Sequence, residues 1–432
     1  MSATRAEALV RTRRRFVVLT AWRWLPLGLV VPVLVLLLRE RGMDLATTGA
    51  LVAVYSVATL LLELPTGGLA DVVGRRPVLA ASSVLGVLAT ALFAVAPSAG
   101  LLVVAYVALG VSRALDSGPL QAWYVDAVQA VDPAADLRRG LSRAGVAEAL
   151  GLGVGSVLSG LLVAVSPFPD DGGVLVALST PFLVAAALGA VHLVMVLLWV
   201  SPVGDRPRAT WRSVLADVPS TVVRGARLAT RRAVLRRIVL GTAALGVALA
   251  GIELLAPTGM AALLGGESRA AATYSVLVAG GFAGTAVGAG LAPWLGRVAG
   301  SAPRGVLAVL LLAAVALAVL ATPVLGVAAT AFVIFYLALG AGGPLLDELT
   351  HRAVTSGERA TVLSVRSMAL QSGGVVASLG VGALVQASTT AVGLGVLAAV
   401  LALGASAMVR WPSEREPAVG AVLDTPRHAV EK

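Results

Sequence analysis

Long apolar stretches alternate with short polar ones along nearly the whole chain. An apolar run from Phe16 to Leu38 is followed by others at about 46–70, 76–96, 100–125, 141–166 and 173–200. A polar stretch from Ser201 to Arg237 interrupts the series. Six more runs then fall near 238–263, 271–296, 304–323, 326–350, 361–386 and 389–410. Each holds about 20 residues or more, enough to cross roughly 30 Å of hydrocarbon at about 1.5 Å per residue. Backbone amides and carbonyls find no water in lipid, so such segments must satisfy one another as helices. The pattern predicts an all-α membrane protein with twelve transmembrane helices in two six-helix bundles. Its parts are an N-terminal segment over 1–15, a first bundle over 16–200, a basic linker over 201–237, a second bundle over 238–410 and a tail over 411–432. The first run is too long for the apolar core of a signal peptide, and it carries no convincing cleavage site. Arg23, Pro26 and Pro32 interrupt it.

Composition agrees with a lipid-embedded chain. Hydrophobic residues make up 58% and charged residues 13%, against about 45–50% and about 25% in soluble domains. There is no cysteine, and the three histidines, His192, His351 and His428, lie far apart. Thiolate metal sites and disulfides are excluded, and no cofactor is expected. The net charge of +10 is almost all arginine, Lys432 being the only lysine. These arginines sit in short loops between apolar runs rather than in a nucleic-acid-binding module, so no nucleic-acid partner is expected.

Their distribution sets the orientation. The loops after spans two, four, six, eight and ten carry Arg75–Arg76, Arg138–Arg139, the Arg206–Arg237 cluster, Arg297 with Arg304, and Arg352 with Arg359. The opposite loops hold Arg39, Arg41 and Arg269, with Asp170, Asp171 and Glu267. Positive residues stay on the inner side. Both termini and the linker are therefore expected in the cytoplasm, with the chain multi-pass in the inner (plasma) membrane. Trp211, Val214, Leu215, Val218, Val222 and Val223 among the linker arginines fit a helix lying on the inner leaflet or a solvated connector. The tail from Pro412 is polar and is expected to be disordered.

The halves repeat. Gly68-Leu69-Ala70-Asp71-Val72-Val73-Gly74-Arg75 aligns with Gly290-Leu291-Ala292-Pro293-Trp294-Leu295-Gly296-Arg297 at an offset of about 222 residues. Tyr55-Ser56-Val57 aligns with Tyr274-Ser275-Val276, and Gly118-Pro119-Leu120 with Gly343-Pro344-Leu345, at nearby offsets. Three matches in order on equivalent spans predict pseudo-symmetric bundles, with a substrate site between them near the midplane.

The stretch Gly67-Gly68-Leu69-Ala70-Asp71-Val72-Val73-Gly74-Arg75-Arg76 resembles the signature motif of the major facilitator superfamily, between its second and third helices. Topology extends the resemblance over about residues 14–410. Val72 stands where the family often has arginine, and Pro293 replaces the aspartate in the second copy. The resemblance implies the major facilitator fold and a gating latch. In that latch Asp71 accepts hydrogen bonds from the start of span eleven near Glu358–Thr361, and Arg75 pairs with Asp126 at the end of span four. Arg76 is either part of this latch or a positive-inside anchor. Leu109-Gly110-Val111-Ser112-Arg113 resembles the family's buried-arginine motif, of which only the arginine carries over. Gly151–Gly160 resembles a worn antiporter motif with Ser156 at its proline position, although such glycines also serve simple helix packing.

Ionisable residues within spans are costly and normally face a cavity or a partner. Arg23, Glu63, Arg113, Asp116 and Glu253 are such residues, with Asp347, Glu348 and Arg366 nearer span ends. Glu63, Asp116 and Glu253 are candidates to carry a proton, and Arg23 and Arg113 to supply a competing positive charge. Alternatively, Arg113–Asp116 and Arg23–Glu63 are structural ion pairs. Span four is read as continuous, with Arg113 and Asp116 on one face. Trp22, Trp24, Trp123, Tyr124, Trp199 and Trp411 fall near span ends, where interfacial anchoring is the default reading, with Trp24 and Trp123 lining the pathway as the alternative.

The leading expectation is a monomeric secondary transporter whose partners are a small-molecule substrate, protons and the lipid bilayer. It would export a lipophilic molecule, such as a drug or secondary metabolite, against protons. The alternative is proton-coupled nutrient or metabolite uptake. In-span amides are almost limited to Gln121, Gln371 and Gln386, which favours an apolar substrate. A membrane enzyme is not expected, because no nucleophile or metal motif and no nucleotide-binding loop is present.

Overall fold

The computed structural model describes residues 3–169, 173–201, 227–355 and 358–412, together with Ala216, Ser220, Val223 and Gly225 of the linker. The linker residues Trp211, Val214, Leu215, Val218 and Val222, and the tail beyond Pro412, lie outside the described residues. Among the described residues every regular element is helical. Eleven helices are long and apolar enough to cross a bilayer, and Thr390–Ser406 is a shorter apolar helix that completes the twelve.

Span one is α1 (Ala3–Val30) followed by α2 (Leu34–Glu40). Pro26 lies within α1 without ending it, whereas the helix gives way to a turn around Pro32. Proline has no N–H for the preceding turn, so a break there is the ordinary outcome. Spans two and three are α3 (Leu45–Val73) and α4 (Arg75–Val95). They are joined through Gly74 alone, whose φ of 102° favours glycine.

Span four is not continuous, contrary to the sequence reading. It consists of α5 (Ala99–Leu115) and α6 (Pro119–Gln129), separated at Asp116–Gly118. Gly118 adopts a φ of 104°, and Pro119 opens α6, where its missing N–H costs nothing. In the second half the matching Gly343-Pro344 lies inside an unbroken helix, so the repeat diverges here.

The remaining spans are α7 (Arg138–Ala164), α8 (Thr180–Trp199), α9 (Ala233–Leu264), α10 (Glu267–Val298), α11 (Ala302–Leu320), α12 (Leu325–Arg352), α13 (Arg359–Gln386) and α14 (Thr390–Ser406). Packing follows the repeat. In the first half α1 packs on α7 and α8, α3 on α5, and α4 on α5 and α8; in the second, α9 packs on α13 and α14, α10 on α12, and α11 on α12 and α14. The halves meet along α3–α13 and α7–α10.

The glycine-rich stretch of α7 serves this packing. A side chain at Gly155 would meet the backbone of Gly28 in α1 at 2.9 Å, and one at Gly160 would meet Ser275 and Ala272 of α10 at 3.0–3.1 Å. Ser156 and Ser159 donate to the carbonyls of Gly28 and Leu29. One glycine seam thus holds α7 both to its own bundle and to the other half.

Candidate functional site

A cavity of about 380 Å³ lies between the halves. The first half contributes α1–α5 and α8, and the second α9, α10 and α12. Most of the wall is apolar, including Leu27, Val31, Val87 and Val278. Tyr55 and Tyr274, matched by the internal repeat, line it from the two halves.

Four of the five in-span charges singled out from sequence share this cavity: Arg23, Arg113, Asp116 and Glu253. Arg23 pairs with Asp116, joining α1 to the break in span four. The Trp24 ring stands 4.8 Å from the Arg23 guanidinium, a cation–π contact. The break itself is well satisfied. Thr66 donates to the Ala114 carbonyl at 2.9 Å, and Ser82 and Ser112 donate to each other's carbonyls at 2.8 Å. These bonds hold α5 rigidly up to the point where Asp116 projects.

Arg113 and Glu253 are different. Both are exposed to the cavity. Among the described residues, no carboxylate reaches Arg113 within salt-bridge distance, and Glu253 has neither an ion-pair nor a hydrogen-bond partner. Tyr55 lines the same cavity as both residues, and the charges of Arg113 and Glu253 act on it. Tyr274 and Tyr336 also lie in the field of Glu253.

Glu63 does not line the cavity. Its Oε1 accepts a 2.7 Å bond from Ser367 of α13, so it sits in the seam between the halves. Neither sequence-level ion pair, Arg23–Glu63 or Arg113–Asp116, forms. The chain brings Arg23 to Asp116 instead, a pairing across 93 positions that spacing alone could not reveal.

At the α3–α4 connection, Arg75 opens α4 and its Nη2 lies 2.7 Å from Oδ2 of Asp126 on α6. Gly67, Gly68 and Asp71 fall in the last turns of α3. Their side chains lie outside the described residues, as do those at 359 and 360, and so does the expected Asp71 contact. No ion pair involves Arg76 among the described residues. In the second half Arg297 reaches back to the Pro293 carbonyl of its own helix and has no ion pair among the described residues. With the Gly-Pro-Leu segments superposed, His351 stands where Asp126 would, which removes the partner of a second latch. That half is tied instead by Arg366–Asp347 between α13 and α12, and by Arg232 bonding both oxygens of Glu358 at 2.7 and 2.9 Å.

At the opposite ends of the helices, Gln386 at the end of α13 clasps the start of α3. Its Nε2 donates to Asp44 Oδ2 and its Oε1 accepts from the Ala46 amide, each at 3.2 Å. Asp44 also caps α3 by accepting from the Thr47 amide at 2.6 Å. That amide first, then Gln386, holds the Asp44 carboxyl below the usual carboxylate range.

The sequence reading missed several cavity residues. His192 lines the wall, with Nδ1 3.3 Å from Ser83 Oγ and a buried Nε2 without a partner. Glu148 on α7, outside the cavity wall, lies in the fields of Arg23 and Arg113. Interfacial anchoring fails for four aromatics. Trp22 and Trp24 line the cavity. Trp123 and Tyr124 are buried, Trp123 donating to the Ser201 carbonyl at 3.2 Å and Tyr124 stacking on Phe16 at 4.3 Å. A lone tryptophan near a span end carries the same sequence signal in either role.

Two pseudo-symmetric helical bundles around a cavity with embedded charges define a polytopic membrane transporter. Residues 17–378 match the Major Facilitator Superfamily, and the chain belongs to that family. Over 104 residues it is 31% identical to the uncharacterized MFS-type transporter YxaM of Bacillus subtilis (strain 168). That match covers 24% of this chain and spans only 26% of the relative's length. Among solved structures, a point mutant of the nucleoside transporter NupG matches with a TM-score of 0.74 at 13% identity, over 92% of this chain and 100% of that one. A point mutant of the peptide transporter POT, in complex with sulfate, gives 0.72 at 13%, over 92% and 93%. A bacterial homolog of the human lysosomal transporter Spinster, in an inward-facing and unoccupied conformation, gives 0.67 at 16%, over 94% of each chain. At these identities the likeness concerns the fold.

Proposed function

We propose that the protein is a proton-coupled exporter of a lipophilic small molecule, working by alternating access as a monomer in the cell membrane with both termini cytoplasmic. The observation that carries this reading is the mostly apolar cavity between the halves, into which the unpartnered Glu253 carboxylate faces. A carboxylate with no protein partner is free to exchange a proton as its surroundings change. Asp116, held by Arg23, is the second proton candidate. Arg113 supplies the opposing positive charge, and Glu63 links coupling to the α3–α13 seam. Gly67, Gly68, Asp71, Gly74, Arg75, Arg76 and Asp126 form the gate on the cytoplasmic side.

The competing reading is proton-coupled uptake. It gains some support from fold neighbours described as nucleoside and peptide transporters, whose substrates are polar. Inverted vesicles separate the two. An acidic lumen driving hydrophobic probes inward, with matching proton release, supports export. Probe movement with the proton in the same direction would establish uptake instead.

A further inference from the structure

The cavity holds two ionisable residues of opposite sign that nothing among the described residues neutralises by contact. Arg113, from α5 in the first half, has no ion-pair partner among the described residues and shares the cavity wall with Tyr55, which lies in its field. Asp116 and Glu148 lie in its field but do not pair with it. Glu253, from α9 in the second half, shares the cavity wall with Tyr55, Tyr274 and Tyr336, which lie in its field, and among the described residues none of them hydrogen-bonds it. The neighbouring Arg23–Asp116 pair is internally matched. It offers no free charge to a ligand.

These facts constrain what fills the cavity. A ligand that displaces water from an ion without replacing its hydrogen bonds meets the full desolvation cost of that ion. A neutral apolar molecule would strip Arg113, and Glu253 as well whenever it is ionised. A cation would satisfy Glu253 but sit in the repulsive field of Arg113, and an anion would do the reverse. A molecule with one group of each sign satisfies both, and its body can rest on the apolar wall at Leu27, Val31 and Val278.

We propose that the substrate is amphoteric: a lipophilic body with an anionic group seated on Arg113 and Tyr55 and a cationic group seated on Glu253. This rests on reading the cavity as the substrate chamber of the proposed exporter, and it narrows that reading to a chemical class. It also gives each half of the protein one end of the ligand, so that binding draws the halves together.

The test uses the full-length protein in detergent and matched probes on benzene, naphthalene and biphenyl cores. Each core is prepared as the aminomethyl carboxylic acid, as its methyl ester, which keeps only the cation, and as its N-acetyl derivative, which keeps only the anion. Binding is read by quenching of tryptophan fluorescence, since Trp22 and Trp24 line the cavity. On at least one core the amphoteric probe is expected to bind about tenfold or more tighter than either derivative, the usual scale for a charge-assisted contact. Arg113→Gln should reduce it to the level of the ester, and Glu253→Gln to that of the acetylated probe. Arg113→Lys, which keeps the charge, should recover part of the loss and controls for a folding defect. Equal binding of the three forms, an unchanged preference in both Gln variants, or no binding of any amphoteric probe at millimolar concentration overturns the proposal. Proteoliposome flux separates the two levels. Amphoteric preference in binding without proton-coupled export leaves this inference standing and removes the export reading. Coupled export of ester and amphoteric probe alike does the opposite.

Discussion

Arg23 and Asp116 form an ion pair that ties α1 to the break in span four, in the wall of the central cavity. The side chains are 20% and 15% exposed, so neither charge is freely hydrated. Removing one partner leaves the other charge uncompensated beside Arg113. Asp116→Asn should therefore destabilise the protein by about 3 kcal/mol or less, below the range for fully enclosed pairs because the cavity admits water. A lower thermal midpoint in detergent reports it. Adding Arg23→Gln should recover most of the loss. A double variant no more stable than Asp116→Asn alone would show that the pair is not what holds the break.

The Arg75–Asp126 pair connects the start of α4 to α6 at 2.7 Å. Its side chains are 23% and 38% exposed, and solvent screens such pairs to about 1 kcal/mol or less. Asp126→Asn should thus hardly move the thermal midpoint while lowering transport several-fold, if the pair acts in the gate. Charge reversal, Arg75→Asp with Asp126→Arg, should restore part of the rate. A large loss of stability with transport intact would make the pair a structural tie.

The sequence shows those features that depend on composition and local spacing. Spans appear because apolar runs are long, and Gly74-Arg75-Arg76 marks the α3–α4 connection because only certain residues allow so tight a turn. Tyr55 and Tyr274 were legible as equivalents and do face one cavity. The partner of Arg23 was not legible, since it depends on how α1 lies against span four. The break at Gly118-Pro119 carried a readable signal, a glycine before a proline, but the same pair at Gly343-Pro344 stays inside a helix. Tertiary packing therefore decides which of the two opens. His192 stands out in the sequence only as an isolated histidine, and nothing in its neighbourhood marks it as a wall residue.

The clasp of Gln386 on Asp44 and Ala46 is expected to respond to pH in one direction only. The Asp44 carboxyl is held below the ordinary range, chiefly by the Thr47 amide. A depressed folded-state value means that the charged, bonded form persists above the ordinary carboxylate value of about 4 and is lost as pH falls through the lowered one. Between about pH 5 and 8 the clasp should therefore stay constant. The chain has no cysteine, so Ala387→Cys gives a clean reporter. Its maleimide labelling, normalised to an exposed reference thiol, should be flat over that range and rise with Gln386→Ala. A sharp change near neutral pH would mean that other groups control this end.

Glu253 and Glu63 separate coupling from the mechanics of the seam. Glu253 faces the cavity with no partner among the described residues, so Glu253→Gln removes a group that can load and release a proton without disturbing a contact within the protein. Substrate-driven proton flux should vanish, while exchange of labelled for unlabelled substrate continues once substrate is raised to offset the weaker binding expected of this variant. Glu63 instead accepts from Ser367 between α3 and α13. A glutamine there keeps the volume and an oxygen for the Ser367 hydroxyl, so the seam should survive. Glu63→Gln is expected to change the rate of interconversion while protons moved per substrate stay the same. If Glu63→Gln abolishes proton movement and Glu253→Gln does not, the proton travels along the seam and the cavity carboxylate serves substrate alone.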